Sequence, residues 1–421
     1  MQTNLADWIK DTPEGQEADS ILRKCVHCGF CLATCPTYNL LGDELDSPRG
    51  RIYLMKQMLE GAEVTEKTQL HLDRCLTCRS CESTCPSGVQ YGRLVDIGRE
   101  IVEKKVGRST AQSIKRSLMK TLLPQTALFH VGLTAGRAVK AFLPALLPAA
   151  LAKKIPAMRD AGLRPALRHT RNMLVLEGCV QPAMAPSINS ATARVLDKLG
   201  ISLIAAPKAG CCGAIPHHLN DMHESHAFIK RNIDAWWPYV EAGAEAIVVT
   251  ASGCGTMVEE YAHILRNDSA YAEKAKRVST LFRDVSQVIA AEGTALSKLL
   301  AAATTGTRES TKIAFHSPCS LQHGLKIKGV VEGLLRDAGF ELTAVPDGHL
   351  CCGSAGTYSL LQPVLSQQLL ANKVKALESG APAMVATANI GCLAHIESGL
   401  NGSSKVPIRH WIELIDARLS A

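Results

Sequence analysis

The sequence predicts an α plus α/β protein, in which an all-helical N-terminal part precedes a duplicated α/β part. A run of spaced cysteines occurs twice between residues 25 and 85, and the segments around the two runs have helical periodicity. In the second half, a strand–helix–strand–helix–strand pattern that carries cysteines also occurs twice. A chain of 421 residues is long enough for two or three such domains.

Composition indicates a globular protein that binds metal rather than nucleic acid. Hydrophobic residues make up 46% of the chain, and the net charge of +7 is not gathered into a basic stripe with aromatic residues. We therefore expect no nucleic-acid partner. Sixteen cysteines are many for a reducing compartment unless most of them bind metal. The first residues lack the basic and apolar regions of a signal peptide, so we expect a cytoplasmic location.

The two N-terminal runs have the pattern CxxCxxCxxxCP, which is typical of proteins with two 4Fe-4S clusters. Gaps of two residues allow three thiolates to face one cluster, and the fourth cysteine, which precedes proline, reaches the other cluster. Structural zinc sites and disulfides are the alternatives, but zinc sites usually have paired CxxC units. The pattern predicts one cluster on Cys25, Cys28, Cys31 and Cys85, and another on Cys75, Cys78, Cys81 and Cys35.

The residues around these runs are expected to form a helical domain over residues 1–105. Ser47 is the predicted N-cap of a helix between the two runs, because a proline follows it and apolar residues then recur at helical spacing. Arg49 and Arg51, in the first turn, could donate hydrogen bonds near cluster sulfurs, contact a partner or simply be solvated. Further helices are predicted over residues 65–74 and 89–105.

Residues 106–170 are predicted to form a helical connector interrupted by prolines. Its most apolar region, residues 121–152, contains Arg137 and Lys140, so no charge-free run of about 20 apolar residues remains for a membrane span. Two shorter pieces, residues 122–133 and 141–152, fit helices buried between domains, which is the interpretation we prefer. The alternative is that they lie on a membrane surface or in a partner's groove.

The second half predicts two α/β units, over residues 171–305 and 306–421. In each unit a single cysteine is followed 32 positions later by Cys-Cys-Gly, and 43 or 41 positions after the first cysteine of that pair by another cysteine. Because parallel sheets place sites at the carboxyl ends of strands, we expect each set of thiols to converge. Such a set suits a soft metal, above all an iron–sulfur cluster, whereas packing as small apolar side chains is the alternative. The candidate ligands are Cys179, Cys211, Cys212 and Cys254, and Cys319, Cys351, Cys352 and Cys392.

Over essentially its whole length the chain resembles the glycolate oxidase iron–sulfur subunit family. More broadly it is similar to proteins that join a helical two-cluster ferredoxin domain to two cysteine-rich "CCG" domains, among them subunits of anaerobic glycerol-3-phosphate dehydrogenase, lactate-utilisation systems and heterodisulfide reductase. Beside the two cysteine runs, the resemblance rests on residues 47–51, 232–237, 349–356 and 387–392.

The resemblance implies an oxidoreductase subunit that holds no flavin itself, and the sequence contains no dinucleotide-binding fingerprint. FAD-binding partner subunits would oxidise glycolate to glyoxylate, which is flavin chemistry. This chain would relay the electrons to an acceptor such as quinone, at the cytoplasmic face of the inner membrane. The alternatives are the same role in a lactate, glycerol 3-phosphate or heterodisulfide system, a catalytic CCG half, or a CCG half that only docks partner subunits.

The resemblance also bears on the ligands in the CCG half. In heterodisulfide reductase subunits a fifth cysteine completes a noncubane cluster, but this chain has Met257 and His395 at the equivalent positions. A five-cysteine site is therefore not expected in either copy. The second copy could use His395 or four cysteines, and the first copy is the weaker candidate. His316, His323, His217 and His218 are candidates for hydrogen bonding near the thiols, and ordinary surface histidines are the alternative for most of the fourteen.

Overall fold

The computed structural model describes residues 1–143, 155–303, 310–403 and 406–420. An N-terminal helical domain precedes two α/β units, each built on a parallel four-stranded sheet, which confirms the predicted fold class. The part of the predicted apolar piece 141–152 that follows residue 143 lies outside the described residues. The predicted domain limits stay a prediction.

Short helices with polar N-caps build the N-terminal domain around the cysteine motifs. Ser47 caps its helix as predicted, since its Oγ accepts a hydrogen bond from the Gly50 amide at 3.0 Å. Thr65 caps the helix that leads into the second motif in the same way. The helices span Pro13–Lys24, Phe30–Ala33, Pro36–Leu41, Pro48–Leu59, Glu66–Asp73, Ser80–Thr84 and Tyr91–Val106, with a 3₁₀ turn at Glu44–Asp46.

Two connector helices, Thr110–Leu122 and Thr126–Phe142, follow this domain. No residue of the second helix is buried, so the preferred interpretation of residues 122–133 as a buried helix is wrong. Arg137 and Lys140 donate hydrogen bonds to backbone carbonyls of the following segment, and the side chains of Leu128, Val131 and Phe142 are exposed. No described helix is both long enough and apolar enough to span a bilayer.

The first α/β unit contains strands β1 (Arg171–Val175), β2 (Ile201–Ala205), β3 (Ile247–Val249) and β4 (Phe282–Asp284). They are all parallel, in the order β2-β1-β3-β4. The fourth strand was not predicted, because it contains one apolar residue, Phe282, beside two charged residues and gives no strand pattern. The helices span Gln181–Met184, Ser187–Lys198, Ala214–His218, Met222–Glu241, Ser252–Glu259, Tyr261–Ile264, Ala272–Leu281, Val285–Ala291 and Gly293–Ala302.

The second unit repeats this topology with strands β5 (Thr311–His316), β6 (Phe340–Leu342), β7 (Met384–Thr387) and β8 (Ile408–His410). Their order is β6-β5-β7-β8, again all parallel. A π-helical turn, Ser320–Gly324, follows β5 where the first unit has an α-helical turn. The other helices span Val330–Asp337, Tyr358–Leu361, Pro363–Glu378, Ile390–Ser403 and Trp411–Leu419.

The two units share one continuous apolar core. Helix Ser187–Lys198 of the first unit packs against helix Trp411–Leu419 of the second. Arg194 and Asp416 form an ion pair of 2.6 Å across this contact. In each sheet the chain order reverses between the first and third strands, and the crevice at such a switch point is where parallel sheets bind ligands.

Candidate functional site

Two cavities in the helical domain are lined by the cysteines of the two motifs. The first is lined by Cys25, Cys28, Cys31, Cys81 and Cys85, and the second by Cys35, Cys75, Cys78 and Cys81. Each cavity joins three successive cysteines of one motif to the last cysteine of the other, and Cys81 stands between them. Four thiols around one cavity are the donor set of a 4Fe-4S cluster, so the residues fit this group. The assignment of individual ligands stays a prediction.

The same backbone turn shapes both cysteine loops. His27 and Gly29 have φ of 56° and 84°, and Thr77 and Arg79, at the same positions of the second motif, have 53° and 57°. A positive φ is rare for a β-branched residue. The Thr77 amide donates a hydrogen bond to Cys75 Sγ at 3.3 Å, so the turn directs a backbone N–H at the sulfur of a predicted ligand. Strained turns of this kind are found where a site requires them.

The first cavity lies just beneath the surface. Cys28 is exposed, and the side chains beside it, Val26 and Phe30, are 66% and 61% exposed. A group held in this cavity would therefore lie directly beneath an exposed apolar face.

The second cavity is enclosed by buried polar groups. Arg51 is 1% exposed and donates a hydrogen bond to Thr37 Oγ1 at 3.1 Å, and this hydroxyl lies 3.3 Å from Cys35 Sγ. Tyr91 Oη donates a hydrogen bond to Cys75 Sγ at 3.7 Å. Arg51 is ion-paired with the buried carboxylate of Asp46 at 3.2 Å, so its charge is compensated, and hydrogen bonds to sulfur are what would raise the reduction potential of a bound cluster.

In the second α/β unit the four predicted thiols converge at the carboxyl edge of the sheet. Cys319 Sγ is 3.8 Å from Cys351 Sγ. The thiols of Cys352 and Cys392 and a ring nitrogen of His316 all lie within 4.8 Å of one another. The single cysteine follows β5, the pair follows β6, and the last cysteine follows β7, as the repeat pattern predicts.

The glycine after each cysteine pair adopts a left-handed conformation. Gly213 and Gly353 have φ of 92° and 88°, and their amides donate hydrogen bonds to Cys211 Sγ at 3.5 Å and to Cys351 Sγ at 3.4 Å. A Cβ at Gly353 would lie 2.7 Å from the Ser366 carbonyl oxygen, so only glycine fits there.

Basic side chains surround the thiols of the second unit. Burial lowers the pKa of Lys373, whose Nζ donates a hydrogen bond to the Asp347 carbonyl at 2.8 Å, and the nearby thiols oppose that shift. His316 Nδ1 lies 2.9 Å from Thr387 Oγ1. His395, predicted as a possible ligand, has its Nε2 3.2 Å from Ser366 Oγ and is not in the group of mutually close donors.

The second unit also contacts the second cluster cavity. Leu76 packs with Cys351 and Tyr358 in one apolar cluster, against which Cys78 and Cys319 also pack. Burial and then the neighbouring Cys319 raise the pKa of Cys78. Thiols of the two cysteine sets are therefore neighbours across the interface between domains.

A hydrogen bond fastens this interface. His323, on the π-helical turn, has its Nδ1 3.0 Å from Ser83 Oγ and its Nε2 2.9 Å from the His349 carbonyl oxygen. This predicted hydrogen-bonding histidine thus contacts the helical domain rather than a thiol.

In the first unit the four thiols converge as well, and their basic neighbour is Arg231, which stacks on Phe228 beside Cys211. A chain of thiol hydrogen bonds connects Cys179, Cys211, Cys212 and Cys254. Leu176 and Met257, both buried, stand where the second unit has His316 and His395. Asn232 stands where the second unit has Lys373, since each lies seven residues after a serine that hydrogen-bonds the glycine of the pair.

The first unit meets the helical domain through charged groups. Arg79 and Arg93 form ion pairs with Glu260 at 3.1 and 3.0 Å, and His217 Nε2 lies 3.3 Å from Asp96 Oδ2. His217 and His218 therefore line a polar cleft between the two domains.

Sequence reasoning missed several residues that shape these sites. The cysteine pattern does not identify Thr37 and Tyr91, because hydroxyl residues that contact cluster cysteines do not occur at a fixed spacing from the motif. Lys373 was missed because a lysine on a helix is almost always exposed.

Comparison with known proteins agrees with this architecture. Residues 21–89 match the family described as 4Fe-4S dicluster domain, and residues 173–259 and 313–397 match the family described as cysteine-rich domain, CCG. The chain is 54% identical to the glycolate oxidase iron–sulfur subunit of Escherichia coli K12, over 100% of this chain and 99% of that protein. It is 30% identical to the probable glycolate oxidase iron–sulfur subunit of Bacillus subtilis 168, over 94% and 93%.

Similarity to lactate proteins is more limited. Lactate utilization protein A of Anoxybacillus flavithermus is 27% identical over 59% of this chain and 100% of its own length.

Fold and site together define an iron–sulfur protein in which a dicluster domain is joined to two CCG domains. Within that class, sequence identity over the full length of the chain assigns the family. The chain belongs to the glycolate oxidase iron–sulfur subunit family.

Proposed function

We propose that the chain is the electron-transfer subunit of a flavin-dependent complex that oxidises glycolate to glyoxylate. The observation that carries the proposal is the pair of adjacent thiol-lined cavities in a chain 54% identical, end to end, to a glycolate oxidase iron–sulfur subunit. When bound, 4Fe-4S clusters accept and donate single electrons. Their ligands in this proposal are Cys25, Cys28, Cys31 and Cys85, and Cys75, Cys78, Cys81 and Cys35.

FAD-binding subunits are the proposed electron donors, and they dock over the first cavity. Its exposure supports this assignment, because electron transfer requires the flavin to approach a cluster closely. Val26 and Phe30 present the apolar surface that a partner would cover, with Tyr53, which is 47% exposed, beside them.

The second α/β unit is the proposed exit, with an additional iron–sulfur centre on Cys319, Cys351, Cys352 and Cys392. Its support is the contact of Cys78 with this thiol set, since no comparable contact joins the helical domain to the first unit among the described residues. The first thiol set is then structural.

The final acceptor in this proposal is quinone at the cytoplasmic face of the membrane. Helix Thr126–Phe142 supports a peripheral location, because its apolar side chains Leu128, Val131 and Phe142 are exposed. Glycolate is the proposed substrate because the relatives that match the full length of the chain are glycolate oxidase subunits. The lactate utilization protein matches only 59% of the chain.

Anaerobic reduction by substrate tests this function. The chain would be purified with its FAD-binding subunits, and EPR spectra recorded after addition of glycolate or lactate. Glycolate is expected to reduce the clusters faster than lactate, and Cys85→Ser is expected to abolish reduction while flavin reduction persists. Flavin that glycolate reduces without any cluster signal in the unsubstituted complex would overturn the proposal.

A further inference from the structure

His316 occupies a position in the second thiol set that nothing in the cysteine pattern assigns. It is the last residue of β5 and pairs in register with Thr387, the last residue of β7. Both strands end at the switch point of the sheet, so the ring lies at the floor of the crevice where the thiols converge.

The geometry around this ring is that of a metal ligand. One of its nitrogens and the thiols of Cys352 and Cys392 lie within 4.8 Å of one another, and all three residues are buried. Its Nδ1 is 2.9 Å from Thr387 Oγ1, which leaves Nε2 for a metal. Metal-bound histidines characteristically have their other nitrogen fixed by such a hydrogen bond.

The first unit provides an internal control. Leu176 precedes Cys179 by three residues, just as His316 precedes Cys319. Leucine packs in this position without any polar contact, and Leu176 is 2% exposed. Packing of the fold therefore does not require an imidazole here, and an imidazole is found only in the unit whose thiols contact the helical domain.

We propose that His316 is a nitrogen ligand to iron in a mixed cysteine and histidine centre of the second unit, beside Cys352 and Cys392. This inference rests on the proposed iron–sulfur centre in that unit, and it replaces His395, whose Nε2 contacts Ser366. Imidazole and thiolate together are suitable ligands for iron.

The test uses the full chain with its partner subunits, purified anaerobically after growth with ¹⁵N-histidine. Pulsed EPR of the unsubstituted protein is expected to show a strong histidine nitrogen coupling. His316→Cys is expected to lose this coupling and keep its iron, because a thiolate can replace the imidazole. His316→Leu, which copies the first unit, is expected to fall from about 12 to about 8 iron atoms per chain.

His395→Gln is the matched control, and it is expected to keep both the iron and the coupling. The proposal is overturned if His316→Cys retains the nitrogen coupling, if zinc rather than iron is lost from His316→Leu, or if the unsubstituted chain holds only about 8 iron atoms. The last result would leave the electron-transfer function in place, since reduction of the two remaining clusters by glycolate tests that function separately.

Discussion

The two CCG units have one topology and the same four cysteines, but they differ in what surrounds the thiols. Leu176, Met257 and Asn232 surround the first set, whereas His316, His395 and Lys373 surround the second. Burial disfavours a charged thiolate in both sets, so burial alone does not distinguish the two units. In the second unit His316 provides a ring nitrogen beside the thiols, whereas Leu176 and Met257 provide none in the first unit. The comparison teaches that a duplicated cysteine pattern fixes where thiols converge, and that the residues between the cysteines decide what the thiols do.

The two units also differ in how they contact the helical domain. The first unit is held by ion pairs of Arg79 and Arg93 with Glu260, and among the described residues none of its thiols packs against the helical domain. The second unit brings Cys319 against Cys78. Only the second contact would join two redox centres, and it supports the proposed exit of electrons through that unit.

The largest expected effect is on the rate of quinone reduction, and it distinguishes the roles of the two thiol sets. Cys351→Ser is expected to lower glycolate-dependent quinone reduction more than 100-fold while the complex still assembles, because the exit centre loses a ligand. Cys211→Ser, the matched change in the first unit, is expected to leave the rate within about 2-fold. Steady-state assays with gel filtration of both variants check this, and equal losses of activity would break the comparison.

The N-caps of the helices that follow the fourth strand of each sheet differ between the units and predict opposite responses to pH. Asp284 caps helix Val285–Ala291, and burial raises its pKa to about 6. The folded protein therefore binds the Asp284 proton more tightly than the unfolded chain does. The protonated carboxyl contributes to the free energy of unfolding below about pH 4, and this contribution is lost as the pH rises through 6. The shift corresponds to about 3 kcal/mol. Asp284→Asn is expected to raise the thermal unfolding temperature at pH 7.5 and to have little effect at pH 4.5.

His410 caps the corresponding helix of the second unit, and burial lowers its pKa to about 4. Its Nδ1 accepts a hydrogen bond from the Ile412 amide and its Nε2 donates one to the Thr250 carbonyl, so the neutral ring is required. This stability is lost as the pH falls from about 6.5 through 4, by about 3 kcal/mol. Thermal unfolding temperatures of Asp284→Asn and of the unsubstituted protein, measured from pH 4 to pH 7.5, check both pH effects. If Asp284→Asn became more stable as the pH fell, the effect assigned to His410 would be wrong.

A smaller effect is expected from the buried lysine. Lys373→Gln removes a positive charge beside the second thiol set, so the reduction potential of its centre is expected to fall by the order of 50 mV. Potentiometric EPR titration measures this shift. Asn232→Lys in the first unit is the reciprocal change, and no redox signal is expected to appear there; a new signal would show that charge alone distinguishes the units.

The smallest effect concerns the hydrogen bond that fastens the second unit to the helical domain. Ser83→Ala removes the partner of His323 Nδ1 and is expected to cost about 1 kcal/mol of stability. Iron content is expected to stay unchanged. Chemical unfolding monitored by circular dichroism checks the first expectation, and loss of iron would show that this contact organises the thiols.

Much of this arrangement could be predicted from the cysteines alone. The spacing of two CxxCxxCxxxCP runs predicts which thiols share a cavity, since two-residue gaps constrain a loop more strongly than the neighbouring residues do. The equal spacing of the repeat likewise predicts the sheet edge at which Cys319, Cys351 and Cys392 meet. The spacing of cysteines along the chain can be read directly from the sequence, because it does not depend on packing between distant segments.

The parts that could not be predicted depend on packing between distant segments. His316 was expected only as a hydrogen-bonding residue, because its place beside Cys392 follows from the pairing of β5 with β7. Residues 122–133 were preferred as a buried helix over one on a membrane surface or in a partner's groove, yet the helix Thr126–Phe142 is exposed. An apolar pattern shows that a segment needs an apolar contact, but it does not show whether this chain provides that contact.

Iron and acid-labile sulfide per chain, measured anaerobically in matched variants of the full complex, test the central claim most directly. The account predicts about 12 iron atoms in the unsubstituted chain and in Cys211→Ser, and about 8 in Cys351→Ser. Loss of iron from Cys211→Ser with none from Cys351→Ser would assign the additional centre to the first unit and contradict the account.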